Sequence, residues 1–190
     1  MALAAAVDIL NEDGPAALST RQIAKRIGYT VGSLYLIFDN LDDLVTHVNG
    51  QTLVELRERS VEAARGAQSP EDQLLELGKA YLAFARSTHG RWLLLFRARS
   101  GDAPLPQWYV QRVRELFALV ENCLQPLAPN APTRERSIGA RALWSGVHGV
   151  TILGLTDVID VGDGPSDVDA IAESLIRHYV HGYTLRFGAQ

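Results

Sequence analysis

The chain has 190 residues, 47% of them hydrophobic, and a formal net charge of −4. That length and apolar content support a buried core of one large or two small domains and exclude a disordered chain, while the negative balance excludes a general nucleic-acid coat, so that any contact with DNA must be local. One cysteine, Cys123, leaves no internal disulfide and fits a reducing cytoplasm; Met1 to Val7 lacks the positive leader expected of a signal peptide, and no stretch reaches the roughly 18 to 20 uncharged apolar residues of a membrane span.

Leu3, Val7, Ile9 and Leu10 predict a first helix ending near Glu12, with Asp13-Gly14-Pro15 as its stop. Leu18 to Phe38 reads as two short helices around a tight turn. Ser19 and Thr20 are N-cap types, because their hydroxyls accept from free first-turn N–H groups. Ile23, Ala24 and Ile27 share a face, Gly28 sits where a left-handed residue ends a helix, and Thr30 is a second cap. Val31 to Phe38 is then a second short helix, with Leu34 and Phe38 inward and Val31, Ser33, Tyr35 and Ile37 at or near the outside. Helix, glycine turn, helix is the helix-turn-helix pattern, whose second helix enters the DNA major groove.

Asp39-Asn40 is a turn and cap for a long helix, Leu41 to about Ala64. Ser69 caps and Pro70 opens the next, Glu71 to Thr88, which His89-Gly90 ends. Arg91 to Arg99 is a short, very apolar helix, Ser100 to Pro106 a loop, and Trp108 to Leu127 another helix with Val113, Leu116, Phe117, Val120 and Leu124 inward. Thr133 caps a helix to about Thr156, Asp160 to Ser166 is a loop, and Asp167 to Phe187 is the last helix. No alternating strand pattern occurs. The expected fold is all-α, with about nine helices: a three-helix helix-turn-helix domain over residues 1–46 and a helical domain over 47–190.

Within the first segment, Arg21, Lys25 and Arg26 are the bases available to phosphates, and Thr20, Thr30, Ser33 and Tyr35 offer hydroxyls. Val31 can touch a thymine methyl, Ser33 can bond a base edge or phosphate, and Gly32 lets the backbone approach closely. Against these stand six acidic side chains in residues 1–49, Asp8, Glu12, Asp13, Asp39, Asp42 and Asp43, which predict weak or strongly salt-dependent affinity.

Leu18-Ser19-Thr20-Arg21-x-Ile23-Ala24, then Gly28, then Gly32-Ser33-Leu34-Tyr35-x-x-Phe38, Leu41 and Leu44 together resemble the DNA-binding signature of the tetracycline-repressor (TetR) family of bacterial regulators. The resemblance implies a ligand-responsive, sequence-specific DNA-binding regulator, a repressor, that is not an enzyme. It implies operator DNA contacts from Thr20, Arg21, Lys25, Thr30, Val31, Gly32, Ser33 and Tyr35. It also implies a cytoplasmic homodimer joined through two late helices, here Thr133 to Thr156 and Asp167 to Phe187, with no cofactor. Many members carry a basic arm before the first helix, a histidine where Ile37 stands and a lysine where Asp42 stands; this chain starts at the helix and lacks the other two. Ala142 to Gly149 resembles the Trp-x-x-x-His-Gly (WHG) motif in the body of one branch.

In the body, Trp92, Phe96, Trp108, Phe117, Trp144 and His148 are candidates for a pocket that takes a small, mostly apolar effector. Each aromatic can equally be core, and His148 can equally be a structural histidine bonded to a neighbour. Gly139, Ala140, Gly146, Gly149 and Gly154 allow close helix approach, either between subunits or within one. The rival readings are an enzyme and a helical dimeric interaction module with weak or lost DNA binding. No nucleophile elbow, phosphate loop or dinucleotide fingerprint is present. Cys123 paired with His148 competes with a plain core cysteine, and His178 with His181, three apart, could join a third group on a metal but fit interface or surface residues as well.

Overall fold

The structure, a computed structural model, describes residues 1–98, 104–156, 158–159 and 167–188. Among these residues there are nine α-helices and no strand: α1 Ala2–Glu12, α2 Thr20–Ile27, α3 Val31–Leu34, α4 Leu41–Ala64, α5 Pro70–Ser87, α6 His89–Leu94, α7 Gln107–Leu127, α8 Thr133–Leu155 and α9 Val168–Phe187, with a 3-10 turn at Pro15–Ala17. The chain forms two compact units, residues 1–56 with 87–112, and residues 57–86 with 113–190. The predicted loop 160–166, and residues 100–103 of the loop before Trp108, lie outside the described residues.

In the first unit, local signals in the sequence become hydrogen bonds. Ser19 Oγ accepts from Gln22 N–H at 3.2 Å and starts α2. Gly28, at φ +73°, ends it in the left-handed conformation, and Tyr29 N–H closes on the Ala24 carbonyl at 3.0 Å. Thr30 Oγ1 accepts from Ser33 N–H to start α3. At the start of α4, Asn40 Oδ1 accepts from Asp43 N–H and the Asp43 carboxylate accepts from Asp39 N–H, so one of the acidic residues, Asp43, serves in the cap. Ala6, Leu10, Ile23, Leu34, Leu44 and Val48 form the core.

Several boundaries differ from expectation. The α-helical part of the second reading helix is one turn, Val31–Leu34, and residues 35–37 are turn, with Ile37 and Phe38 N–H both reaching Leu34 O. His89-Gly90 does not end α5; it begins α6, because a Cβ on Gly90 would run into the backbone carbonyl of Leu10. The glycine is there for contact between α6 and α1. Leu94 of α6 consequently joins the core built by α1–α4. The short helix expected over Arg91–Arg99 therefore spans only His89–Leu94.

In the second unit, α8 and α9 pack against each other along their length. Asp167 Oδ1 accepts from Ala170 N–H and caps α9. Thr133 does not cap α8; it is the first helical residue, and Arg136 N–H bonds Pro132 O instead. A Cβ at Gly139 would lie 2.9 Å from the Tyr183 ring, at Gly146 3.1 Å from Leu175, and at Gly154 2.6 Å from Val168. These three glycines serve packing within one chain.

Candidate nucleic-acid interface and aromatic cluster

All eight predicted DNA-contact residues lie on α2, the turn after it, or α3 and its end, and none is buried. Arg21 and Lys25 are four apart on α2, so they share a face. Both are exposed, and among the described residues neither makes an ion pair. Arg26 is committed elsewhere: its guanidinium donates to Glu12 and holds that carboxyl below its ordinary range. Asp8 and Asp13 also act on Arg26. Three of the six acidic side chains of residues 1–49 are thus gathered around one base, Arg26.

Thr30 Oγ1 and Ser33 Oγ lie 3.0 Å apart at the exposed start of α3. Gly32 is open, with only Thr30 Oγ1 near a Cβ. Tyr35 is half exposed, as is Tyr29, and Leu36 and Ile37 are 87% and 72% exposed. Tyr29 and Leu36 were not among the candidates. Their signal is that neither fits the inward spacing of Leu34 and Phe38.

The six body candidates fall three in each unit. Trp92 is fully buried and its ring meets Phe96 edge-on at 5.2 Å. Trp108 stacks on His47 of α4 at 5.2 Å, with Arg112 over its ring at 4.8 Å, and it fills the space beside Gly50. In the second unit Phe117, Trp144 and His148 form one cluster. Phe117 meets Trp144 edge-on at 5.7 Å, Trp144 stacks on His148 at 5.2 Å, and Tyr81 Oη is hydrogen-bonded to His148 Nδ1 at 2.9 Å. Burial holds the His148 pKa below its ordinary value, so the neutral ring dominates at neutral pH. Sequence reasoning missed Tyr81, since it comes from α5, far along the chain.

Cys123 is buried beside Gln73, and burial pushes its thiol up to about 11, the opposite of what a nucleophile needs. His178 and His181 are exposed on α9, and His178 Nδ1 sits 2.7 Å from the Ser174 carbonyl of its own helix. None of the described helices is long and apolar enough to cross a membrane.

A capped, base-bearing helix-turn-helix on a helical body defines a DNA-reading regulator. Residues 2–48 match the family profile of bacterial regulatory proteins of the tetR family, and residues 74–179 match that of the tetracyclin repressor-like C-terminal domain. The chain belongs to the TetR family of transcriptional regulators. Its fold is similar to that of a protein from Rhodococcus sp. RHA1 (TM-score 0.77, 20% identity, covering 95% of this chain and 92% of that one). It is also similar to FadR from Bacillus subtilis in complex with stearoyl-CoA (0.72, 15%, 95% and 97%) and to a TetR variant from Acinetobacter baumannii AYE in complex with minocycline (0.70, 18%, 99% and 97%). No curated protein matches the sequence.

Proposed function

We propose that the protein is a cytoplasmic repressor that grips operator DNA as a homodimer through residues 20–35 and lets go when a small, mostly apolar effector binds its body. The observation that carries the DNA part is the pairing pattern of the head. Arg26 is neutralised by Glu12, whereas Arg21 and Lys25 stand exposed and without ion pairs among the described residues, on the helix that precedes the hydroxyl-bearing Thr30, Ser33 and Tyr35 in the chain. Bases left without acidic partners are what phosphates require, and the hydroxyls set register. Of the acidic residues, Glu12 is paired with Arg26 and the Asp43 carboxylate accepts from Asp39 N–H at the start of α4, which supports local rather than net charge as what a phosphate meets.

The dimer reading rests on a stripe that is exposed except at the half-buried Gly149. Ile138, Ala142, Ser145, Gly149 and Leu153 recur at helical spacing along α8, and Ser174, His178, Gly182 and Leu185 do so on the adjoining α9. Nothing lies within 4 Å of a Cβ built on Gly149 or Gly182, unlike the glycines that pack inside the chain. Small residues with no internal reason to be small suit the close approach of a second copy.

The cluster of Tyr81, Phe117, Trp144 and His148 supports the effector reading, because a neutral imidazole among aromatics offers orientation to an apolar molecule. The Trp144–His148 stack also supports the likeness of residues 142–149 to the WHG branch. The complexes of two structural neighbours with stearoyl-CoA and minocycline support an effector with a large apolar part. Binding would shift the equilibrium between head spacings that do and do not match the operator half-sites, with α4, which contributes residues to both compact units, carrying the change.

The test is genomic footprinting with purified protein at low and physiological salt, followed by titration of hydrophobic compounds against the bound operator. Protected sites should have two-fold symmetry, and Tyr35→Ala should weaken protection without lowering the melting temperature. Absence of any protected site at low salt refutes the DNA reading, and an operator complex indifferent to every compound refutes the effector.

A further inference from the structure

The first unit contains a cleft of about 110 Å³ along the first half of α4, walled in part by Val45, Thr46, Asn49, Leu95, Leu105 and Tyr109. It contains none of the six aromatic and histidine candidates. Roughly 10–15 Å³ of such space holds one water, so a molecule of about six non-hydrogen atoms fits.

Its polar interior has an unusual sign. Asn49 is 7% exposed, and its Nδ2 donates to the Leu94 carbonyl at 3.1 Å. A carbonyl only accepts, so this contact fixes which way the amide points. Asn49 Oδ1 is then left buried with no donor among the described residues. Thr46, equally buried, spends its hydroxyl proton on the Asp42 carbonyl at 2.7 Å. Both buried side chains therefore offer oxygen acceptors, and a buried acceptor left unmet is costly. Asp42 and Arg97, which also line the cleft, balance each other in charge. The surroundings favour a neutral donor over an ion.

We propose that this cleft is a second ligand site, for a small neutral amphipathic molecule whose amide N–H or hydroxyl O–H donates to Asn49 Oδ1 while its short aliphatic part lies against Val45, Leu95 and Leu105. The site does not depend on the aromatic cluster or on DNA binding. It is carried by the helix that directly follows the reading head, so where the regulator reading holds, its occupant acts on the same unit that meets DNA.

The full-length, ¹⁵N-labelled protein without DNA is titrated with butyramide, 1-butanol and methyl propionate, three probes of similar size of which only the first two donate. Saturable shifts of the Asn49 side-chain amide and the Ala98 and Leu105 backbone signals are expected for one or both donors. The amide and alcohol arms identify which head group the site takes. Methyl propionate should bind at least about tenfold more weakly, the scale of one unmade hydrogen bond to a buried acceptor. Leu105→Trp, at a partly exposed wall, should abolish the shifts while leaving the spectrum dispersed; should that variant unfold, the donor selectivity of the parent protein decides. Equal binding of all three probes, no saturation by any, or unchanged binding in a folded Leu105→Trp protein overturns the proposal and leaves Asn49 Oδ1 to water. Because no DNA is present, that failure is distinct from failure to find an operator.

Discussion

The reading head and the aromatic cluster of the second unit are held in opposite ways. In the head, the helix starts are set by contacts three positions away: Ser19 to Gln22, Thr30 to Ser33, Asn40 to Asp43. In the cluster, Tyr81, Phe117, Trp144 and His148 come from three helices and meet only through tertiary packing. A surface that must present the same atoms to every operator is stiffened by its own backbone. The proposed effector site is instead assembled from residues far apart in the chain.

The largest effect that would break this contrast is expected from Gly90→Ala. The head would no longer be self-sufficient if one contact from α6 decides it. The added methyl meets the Leu10 carbonyl, a backbone atom that cannot swing away, and overpacking of this kind costs about 1–3 kcal/mol. Thermal unfolding should show it as a drop of several degrees. Thr30→Ala comes next, at about 0.5–2 kcal/mol for a lost N-cap, and it should weaken operator binding in fluorescence anisotropy because α3 is only one turn long. A variant as stable as the parent would show that packing, not capping, sets the reading turn.

Arg21→Ala should leave the melting temperature unchanged, since the side chain has no described ion pair, yet lower the slope of log affinity against log salt by about 1. An unchanged slope would remove Arg21 from the phosphate contacts. The smallest effect belongs to the cluster. The folded His148 pKa lies below its ordinary 6.5, so the unfolded chain binds the proton more readily. Stability is intact above that value and falls as pH drops through it, until the folded ring also titrates. His148→Gln should flatten this acid limb in denaturant titrations at pH 5 to 7. An identical limb in the variant would assign the dependence to other groups.

The same contrast explains what was legible in the sequence. Caps and the Gly28 stop are local, so Ser19, Thr30 and Asn40 could be read from residue types alone, whereas Asp167 read as the first helical residue and is the N-cap. Gly90 was misread as a helix stop because glycine ordinarily ends helices, and the carbonyl that requires it belongs to α1. Gly139, Gly146 and Gly154 signalled close packing, but not that their partners Tyr183, Leu175 and Val168 lie in the same chain. Trp108 read as an apolar aromatic of the body, but the contacts of its ring with His47 and with the space beside Gly50 join residues far apart in the chain and could not be read. The shared acceptor sign of Thr46 and Asn49 was invisible, because it depends on which atom of each side chain is already spent.

The insertion of α6 among the first four helices has a practical corollary for building hybrid regulators. A transplant that carries only residues 1–56 leaves Leu94 behind and strips the flank of α1 on which Gly90 rests. A graft designed to keep this packing brings residues 87–112 with it, because the compact unit that holds the reading head is discontinuous along the chain.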